Sequence, residues 1–203
     1  MKKIGAKMSK RNLFLVLLFL LALTTQVTTS HTARAISAEV EDNSKVTTVF
    51  LVRHAERDTT PPAPDPPLNE AGKLRAQELA RVLGKCGIKT IITSQYLRTQ
   101  QTAEPLAKQL GITALAIQVK PSPSNPQEVA EEAIREITGK INQHSGEAIL
   151  VVGHGNSVPA VIKALGGDLV PTIGEKEFDN LFVVTIYRKG RARVLPLKYG
   201  GSS

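Results

Sequence analysis

The sequence has no tryptophan, three tyrosines and one cysteine among its 203 residues. With so few aromatic rings, a stacking platform for sugars or nucleic-acid bases is unsupported. The single cysteine, Cys86, excludes an internal disulfide bond. The chain has no cysteine cluster and no His-Glu-x-x-His motif, so a zinc enzyme is poorly supported, and we predict no metal site and no cofactor. Cys86 follows a predicted helix, and we expect it to be buried as a small apolar residue.

Acidic residues are absent from residues 1–35, which carry six basic side chains. A basic start is followed by the apolar run of residues 13–23 and then by small residues at Ala33 and Ala35. This order is typical of a secretory signal peptide, and the run is shorter than the roughly 20 residues that span a bilayer. We predict a signal peptide at residues 1–35, with an uncleaved N-terminal anchor as the alternative, and a flexible tether at residues 36–45.

Export is the expected consequence of that leader. We expect a periplasmic or extracellular bacterial protein, which contacts a membrane only if the N-terminal segment is not cleaved.

The formal net charge of +8 comes mostly from the leader, because residues 36–203 carry 20 basic and 18 acidic side chains. Because the basic and acidic side chains of residues 36–203 are nearly equal in number, their net charge gives no reason to expect a nucleic-acid partner. Its size matches one domain, which we place at residues 46–203.

Apolar runs alternate with segments of helical spacing along this domain. Strands are predicted at residues 46–52, 88–93, 114–119 and 148–152, helices at 69–83, 96–110, 126–141 and 156–165, and a final pair of strands at 181–187 and 192–196. The pattern predicts an α/β fold. We expect a three-layer sandwich with a mainly parallel central sheet, helices on both faces and an antiparallel C-terminal edge hairpin.

The most informative stretch is VTTVFLVRHAER, residues 46–57, in which a strand leads directly into Arg53, His54 and Arg57. Nearby cations disfavour the charged form of an imidazole, so His54 is poorly suited to work as a general base. It suits a neutral nucleophile that attacks phosphorus while the two guanidinium groups hold the phosphate oxygens. The motif therefore predicts a phosphate site.

Two further strands end in polar residues that suit an anion. The second is followed by SQYLR, which ends at Arg98, and the fourth by GHGNS, which contains His154. Because the carboxyl ends of parallel strands meet at one edge of a sheet, we expect these residues to share a crevice with His54. Taken singly, Arg98 could be a surface residue, and Arg57 could pair with a neighbouring acid.

Together, in this order, the motifs resemble those of the histidine phosphatase superfamily, which includes the phosphoglycerate-mutase-like enzymes. The first appears as RHAER, with Ala55 where the family usually has glycine, a departure found in the short branch that resembles bacterial phosphohistidine phosphatases. The second lies in SQYLRTQQTA, where Arg98 matches the family's second arginine. The third is VVGHGNS, where His154 matches its second histidine.

This resemblance implies the role of each candidate residue. His54 would be the nucleophile that becomes phosphohistidine. Arg53, Arg98 and His154 would line the phosphate pocket with it, and Arg57 would add a further contact. The implied activity is hydrolysis of phosphate monoesters or phosphoramidates without a metal, on a small phosphorylated substrate.

The sequence leaves the proton donor and two alternative functions open. Glu128, expected in the first turn of a helix, Asp65 in the proline-rich loop at residues 58–67, and Glu56 are the candidate donors; a phosphoramidate substrate would need none. One alternative is a non-catalytic module that binds phosphate or phosphosugars. The other is an envelope-anchored phosphatase of cell-surface glycans or lipids.

Overall fold

Six strands of the described residues form one mixed sheet. They are β1 (Thr47–Arg53), β2 (Ile88–Ser94), β3 (Leu115–Ile117), β4 (Ala148–Gly153), β5 (Asn180–Arg188) and β6 (Arg191–Lys198), arranged in the order β3-β2-β4-β1-β5-β6. The first four run parallel, while β5 is antiparallel to β1 and to β6. The predicted antiparallel hairpin at the C-terminal edge is confirmed.

The computed structural model describes residues 46–61 and 64–201. These lie in a unit that runs from Lys45 to Ser203, and every described helix, strand and core cluster belongs to that unit. The predicted signal peptide, anchor and tether lie outside the described residues. Within the described ranges, none of the helices combines the length and the apolar character needed to cross a membrane.

In the described ranges, four helices cover the two faces of the sheet. They are α1 (Glu70–Leu83), α2 (Leu97–Leu110), α3 (Glu131–Gln143) and α4 (Ser157–Ala164). Successive strand residues point to opposite faces, so Leu51 packs in a cluster with residues of α3 and α4, and Val52 packs in a second cluster with residues of α1 and α2. This division confirms the predicted three layers.

Local sequence signals account for several element boundaries. Asn69 precedes α1, and its side-chain oxygen accepts a hydrogen bond from the backbone nitrogen of Gly72, as an N-cap does. Gly111 ends α2 with φ of 66°, a left-handed conformation that favours glycine. The last two strands turn at Lys189 and Gly190, as predicted.

Three local predictions are wrong. The third helix begins at Glu131, not at residue 126, because Asn125 starts a turn in which its side chain accepts a hydrogen bond from the backbone nitrogen of Gln127. Glu128 therefore lies in a loop. Cys86 is exposed, since it lies in the surface turn between α1 and β2. The third strand spans three residues instead of six.

The connections out of β1 and β4 create a crevice between these neighbours. β1 leads to α1, which packs in one core cluster, and β4 leads to α4, which packs in the other. The chain therefore leaves two adjacent parallel strands toward opposite faces, and such switch points are where open α/β sheets bind ligands.

Candidate active site

All five predicted site residues line one open cavity of about 540 Å³ at this crevice. Arg53, His54 and Arg57 reach it from the end of β1, Arg98 from the first turn of α2 and His154 from the end of β4. Other lining residues include Tyr96, Lys120, Gln127, Glu128 and Asn156. The structure thus brings together side chains that are as much as 101 positions apart, from Arg53 to His154.

His54 is buried, with 4% of its surface exposed, and its ring orientation is fixed by the backbone. Its Nδ1 lies 2.8 Å from the carbonyl oxygen of Ala55. A carbonyl only accepts, so Nδ1 carries the proton and Nε2 keeps its lone pair. Burial, together with the charges of Arg98, Arg53 and Arg57, lowers the pKa of His54 to about 4. Near neutral pH, His54 is therefore an uncharged imidazole with a nucleophilic Nε2.

His154 lies beside His54, with the two ring centroids 5.4 Å apart. Burial, the neighbouring His54 and two arginines lower the pKa of His154 to about 3. Its Nε2 lies 2.9 Å from the Oγ of Ser94, and its ring meets Tyr96 edge to face. Both histidines are therefore uncharged near neutral pH, so the arginines supply the positive charge around them.

Two buried hydroxyl groups connect His154 to the start of α2. Thr99 Oγ1 lies 2.8 Å from the carbonyl oxygen of Tyr96 and 2.9 Å from Ser94 Oγ. When Thr99 donates its hydroxyl proton to that carbonyl, Ser94 donates to Thr99 and accepts from His154. We assign the proton of His154 to Nε2 on the basis of this arrangement.

Arg53 is held rigidly by the loop that precedes β5. Its Nη1 donates to the carbonyl oxygens of Gly174 and Glu175, both at 2.8 Å, and its guanidinium carbon lies 4.2 Å above the ring of Phe178. Its Nε is buried and has no hydrogen-bond partner among the described residues. That nitrogen lies close to Gly155 at the cavity wall, where an anion could satisfy it.

Arg98 is held by an acid and an aromatic ring. Its Nη1 lies 3.5 Å from the carboxylate of Asp65, and its guanidinium carbon lies 4.2 Å above the ring of Tyr96. The same carboxylate accepts from the backbone nitrogen of Leu97 at 3.1 Å, so Asp65 also stabilises the start of α2. Burial and the charge of Arg57 lower the pKa of Arg98. Arg57 itself is exposed at the rim.

Polar residues of α2 hold the segment that follows His54. Thr102 Oγ1 accepts from the backbone nitrogen of Ala55 at 2.9 Å and donates to the carbonyl oxygen of Arg98 at 2.6 Å. Gln101 Oε1 accepts from the backbone nitrogen of Leu68 at 2.7 Å. Thr102 therefore connects the nucleophile's loop to the helix that carries Arg98.

Sequence reasoning missed the supporting roles of Ser94, Thr99, Thr102, Tyr96 and Phe178. The first four lie within SQYLRTQQT, where the run of polar side chains at a helix start was a usable signal, because such residues need buried partners when they face the core. Phe178 lies in a loop with no motif, and its role depends on tertiary contacts alone.

The geometry separates the three candidate proton donors. Glu56 is bound by Arg75 at 2.7–2.9 Å, and although burial acts to raise its pKa, the hydrogen bonds and charge of Arg75 lower it overall. Glu56 lines a different, larger cavity of about 1110 Å³ that contains none of the five predicted residues. Asp65 is engaged with Arg98. Glu128 lines the cavity of His54 as an exposed residue, and its Oε1 accepts a hydrogen bond from Asn125 Nδ2 at 3.0 Å.

Within residues 46–61 and 64–201, acidic, histidine and cysteine side chains do not gather into a metal site. In the part of the chain that the structure describes, no three of them are placed to hold a metal ion.

Comparisons with known proteins agree with this geometry. Residues 49–122 match the family model of the histidine phosphatase superfamily (branch 1). No curated protein sequence matches the chain. Solved structures do: a mycobacterial glucosyl-3-phosphoglycerate phosphatase has a TM-score of 0.60 and 16% identity, with 76% of this chain and 100% of that chain covered.

Two other solved structures are comparably similar. The protein histidine phosphatase SixA, in complex with tungstate, has a TM-score of 0.57 and 20% identity, with 74% of this chain and 96% of that chain covered. A phosphoserine phosphatase variant from Entamoeba histolytica, in complex with phosphoserine, has a TM-score of 0.55 and 17% identity, with 77% and 98% covered. At these identities the likeness establishes a shared fold.

Proposed function

This chain belongs to the histidine phosphatase superfamily and is a phosphatase, and from that premise we propose that it hydrolyses phosphate monoesters or phosphoramidates through a phosphohistidine intermediate on His54. We include in the proposal that it needs no metal and is exported. The observation that carries it is the state of His54. An uncharged ring with its Nδ1 held by Ala55 presents the Nε2 lone pair within a cavity lined by three arginines.

The reaction has two displacements at phosphorus. In the first, Nε2 of His54 forms a bond to phosphorus while the bond from phosphorus to the leaving oxygen or nitrogen breaks, and the leaving group takes a proton. Glu128 is the carboxyl group in the cavity that can supply this proton. In the second, water attacks phosphorus and the bond to His54 breaks. The water's proton passes to the Glu128 carboxylate, and inorganic phosphate leaves.

The arginines stabilise the charge that moves during both steps. A phosphoryl group in transfer spreads negative charge over its equatorial oxygens. Arg53 and Arg98 are each stacked on an aromatic ring and tethered by oxygen atoms, so their orientation does not have to be acquired during the reaction. Preorganised donors of this kind are each worth roughly 3–4 kcal/mol in the transition state.

The site defines the leaving group of the substrate less closely than it defines the phosphate group. The similar solved structures include a glucosyl-3-phosphoglycerate phosphatase, a protein histidine phosphatase and a phosphoserine phosphatase, so the fold accommodates very different leaving groups. A carboxyl group at the cavity wall favours monoesters, whose alkoxide leaving groups need a proton more than phosphoramidates do. The cavity volume of about 540 Å³ suits a small substrate.

The test is phosphate release from p-nitrophenyl phosphate, in EDTA, by the wild type, His54→Ala and His144→Ala. His144 is a matched control because it contacts Thr90 and Glu147, outside the cavity. We expect activity in the wild type and the control, and none in His54→Ala. A wild type quenched during turnover should gain the mass of one phosphoryl group on His54.

Two outcomes would reject the proposal. Turnover by a correctly folded His54→Ala would exclude the nucleophile. Tight binding of inorganic phosphate by the wild type, with no turnover of any ester or phosphoramidate, would identify a binding module instead.

A further inference from the structure

The hairpin formed by β5 and β6 concentrates positive charge at its turn. Arg188, Lys189, Arg191 and Arg193 are four cations within six residues, and all four are exposed. None of the ion pairs found among the described residues includes any of them. The nearby Asp168 uses its carboxylate to accept from the backbone nitrogen of Val194. Among the described residues, therefore, no ion pair neutralises these four cations.

Apolar side chains are exposed next to these cations. Leu195 is 55% exposed and Leu197 is 42% exposed, while Tyr187 at the turn is 49% exposed. On β6, Arg193, Leu195 and Leu197 share one face of the strand, while Ala192 and Val194 on the other face are buried in the core. One face of this hairpin thus combines cations with uncovered leucines.

The turn lies at the end of the sheet opposite the active site. Thr47, at the start of β1, pairs with Ile186 beside the turn, whereas Val52, next to the site, pairs with Leu181. The five residue steps of β1 from Thr47 to Val52 correspond to about 17 Å.

A second copy of the chain is poorly matched to this surface. The outer edge of β6 is already paired, because Ala192 donates to the carbonyl oxygen of Gly166 and accepts from the backbone nitrogen of Asp168. Further along the edge, Pro196 has no N–H group to donate to a neighbouring strand. Two copies would also bring eight uncompensated cations together.

A nucleic acid would leave the leucines unused, since phosphate contacts need only the cations. An anionic phospholipid bilayer uses both features. Cations near such a surface are attracted to the headgroups, and leucine and tyrosine side chains enter the interface between headgroups and acyl chains. We infer that the β5–β6 hairpin docks the domain on an anionic bilayer, with the cavity of His54 facing away from the membrane.

The test measures the binding of residues 45–203 to sedimented vesicles of phosphatidylcholine, with and without 30% phosphatidylglycerol. Leaving out residues 1–44 removes the leader, whose own charge and apolar run would otherwise bind the vesicles. We expect binding that requires phosphatidylglycerol and weakens as salt is raised. The double variant Arg191→Gln/Arg193→Gln should bind about 30-fold more weakly, which is two cations at about 1 kcal/mol each.

A matched control removes two cations far from the hairpin. Lys108→Gln/Arg135→Gln has the same net charge as the hairpin variant. The two cations that it removes are exposed and lie on α2 and α3. It should retain nearly wild-type binding, and Leu195→Ser/Leu197→Ser should lose affinity at unchanged charge. All variants should keep the phosphatase activity of the wild type in solution.

The inference would be overturned by any of four results. These are no binding of the wild type to phosphatidylglycerol vesicles, equal loss in the hairpin variant and the control, tighter binding to a single-stranded RNA than to vesicles, or a dimer that Leu195→Ser/Leu197→Ser converts to monomer. None of them bears on the activity of His54.

Discussion

Cations cluster at both ends of β1, but in opposite physical states. At the carboxyl end, Arg53 and Arg98 are partly buried, stacked on aromatic rings and bonded to carbonyl or carboxylate oxygens. Burial lowers the pKa of both. At the other end, the four cations of the β5–β6 turn are exposed, with no ion pair within the described residues.

The difference shows how the same charge can serve two purposes. Burying cations beside one another costs stability, and the fold offsets this cost with contacts that also fix their direction. A small dianion that enters such a site meets donors already in position. Exposed cations on long side chains are screened and mobile, so they suit a large, diffuse anionic surface.

The largest expected effect comes from removing one cation at each end in turn. Arg98→Gln should lower kcat about 10²–10³-fold, because a preorganised donor to the transferring phosphoryl group is lost. Arg193→Gln, which removes the same charge from the hairpin, should leave kcat unchanged. Steady-state kinetics on p-nitrophenyl phosphate at fixed ionic strength measures both.

Two results would contradict the distinction between the cations at the two ends of β1. Equal losses in the two variants would mean that net charge, rather than geometry, drives catalysis. Wild-type kcat in Arg98→Gln would show that this arginine does not contact the transferred group. Circular dichroism provides the control for folding.

The second prediction concerns stability against pH. The pKa values of His54 and His154, about 4 and about 3, lie below the value of about 6.5 expected in the unfolded chain. Between pH 4 and 6.5 the unfolded state therefore binds more protons, so stability rises with pH through this window. The loss from pH 7 to pH 5 should be on the order of 2 kcal/mol for each histidine.

Urea unfolding at pH 5, 6 and 7 measures this dependence. His154→Gln should be less sensitive to pH than the wild type, because one of the two buried histidines is gone. A wild type equally stable at pH 5 and pH 7 would contradict the burial of uncharged histidines.

A smaller effect should follow from Ser94→Ala, which removes the acceptor for Nε2–H of His154. We expect kcat to fall about tenfold, the cost of one hydrogen bond in a buried network. Nitrogen NMR of the His154 ring should show a changed tautomer balance, which a merely structural role for Ser94 would not produce. Ser145→Ala, on an exposed serine that contacts Thr47 at the opposite end of β1, is the matched control.

The smallest effect is expected at the hairpin. Arg191→Gln/Arg193→Gln should change the free energy of unfolding by less than about 0.5 kcal/mol, since exposed side chains without ion pairs contribute little. Thermal and urea unfolding of the variant measure it. A loss of several kcal/mol would show that these arginines support the fold and would blur the distinction between the two ends.

Much of the fold was predictable because its signals are local. The strand that ends at Arg53 and the helices that end near Gly84 and Gly111 follow from apolar patterns and glycine stops. The start of α3 was not predictable, since residues 120–130 are folded back by a bridge between Pro121 and Val129. Helical spacing in the sequence does not report such a bridge.

Cys86 illustrates a different failure. Its apolar character predicts burial, but burial depends on whether an element of the fold covers that turn, and no element of the described residues does. The proton donor was undecidable for a similar reason. Glu56, Asp65 and Glu128 have the same chemistry, and only their partners distinguish them.

The sequence alone determined the chemistry of this protein. A histidine between arginines at the end of a strand, with Arg98 and His154 at the ends of two others, indicates phosphoryl transfer because residue type and strand ends are local properties. Tertiary structure alone decided which nitrogens carry protons, which acid faces the cavity and how Arg53 is held. Those depend on contacts such as that of Arg53 with Gly174, 121 positions away, and pairings at that separation arise only when the chain folds.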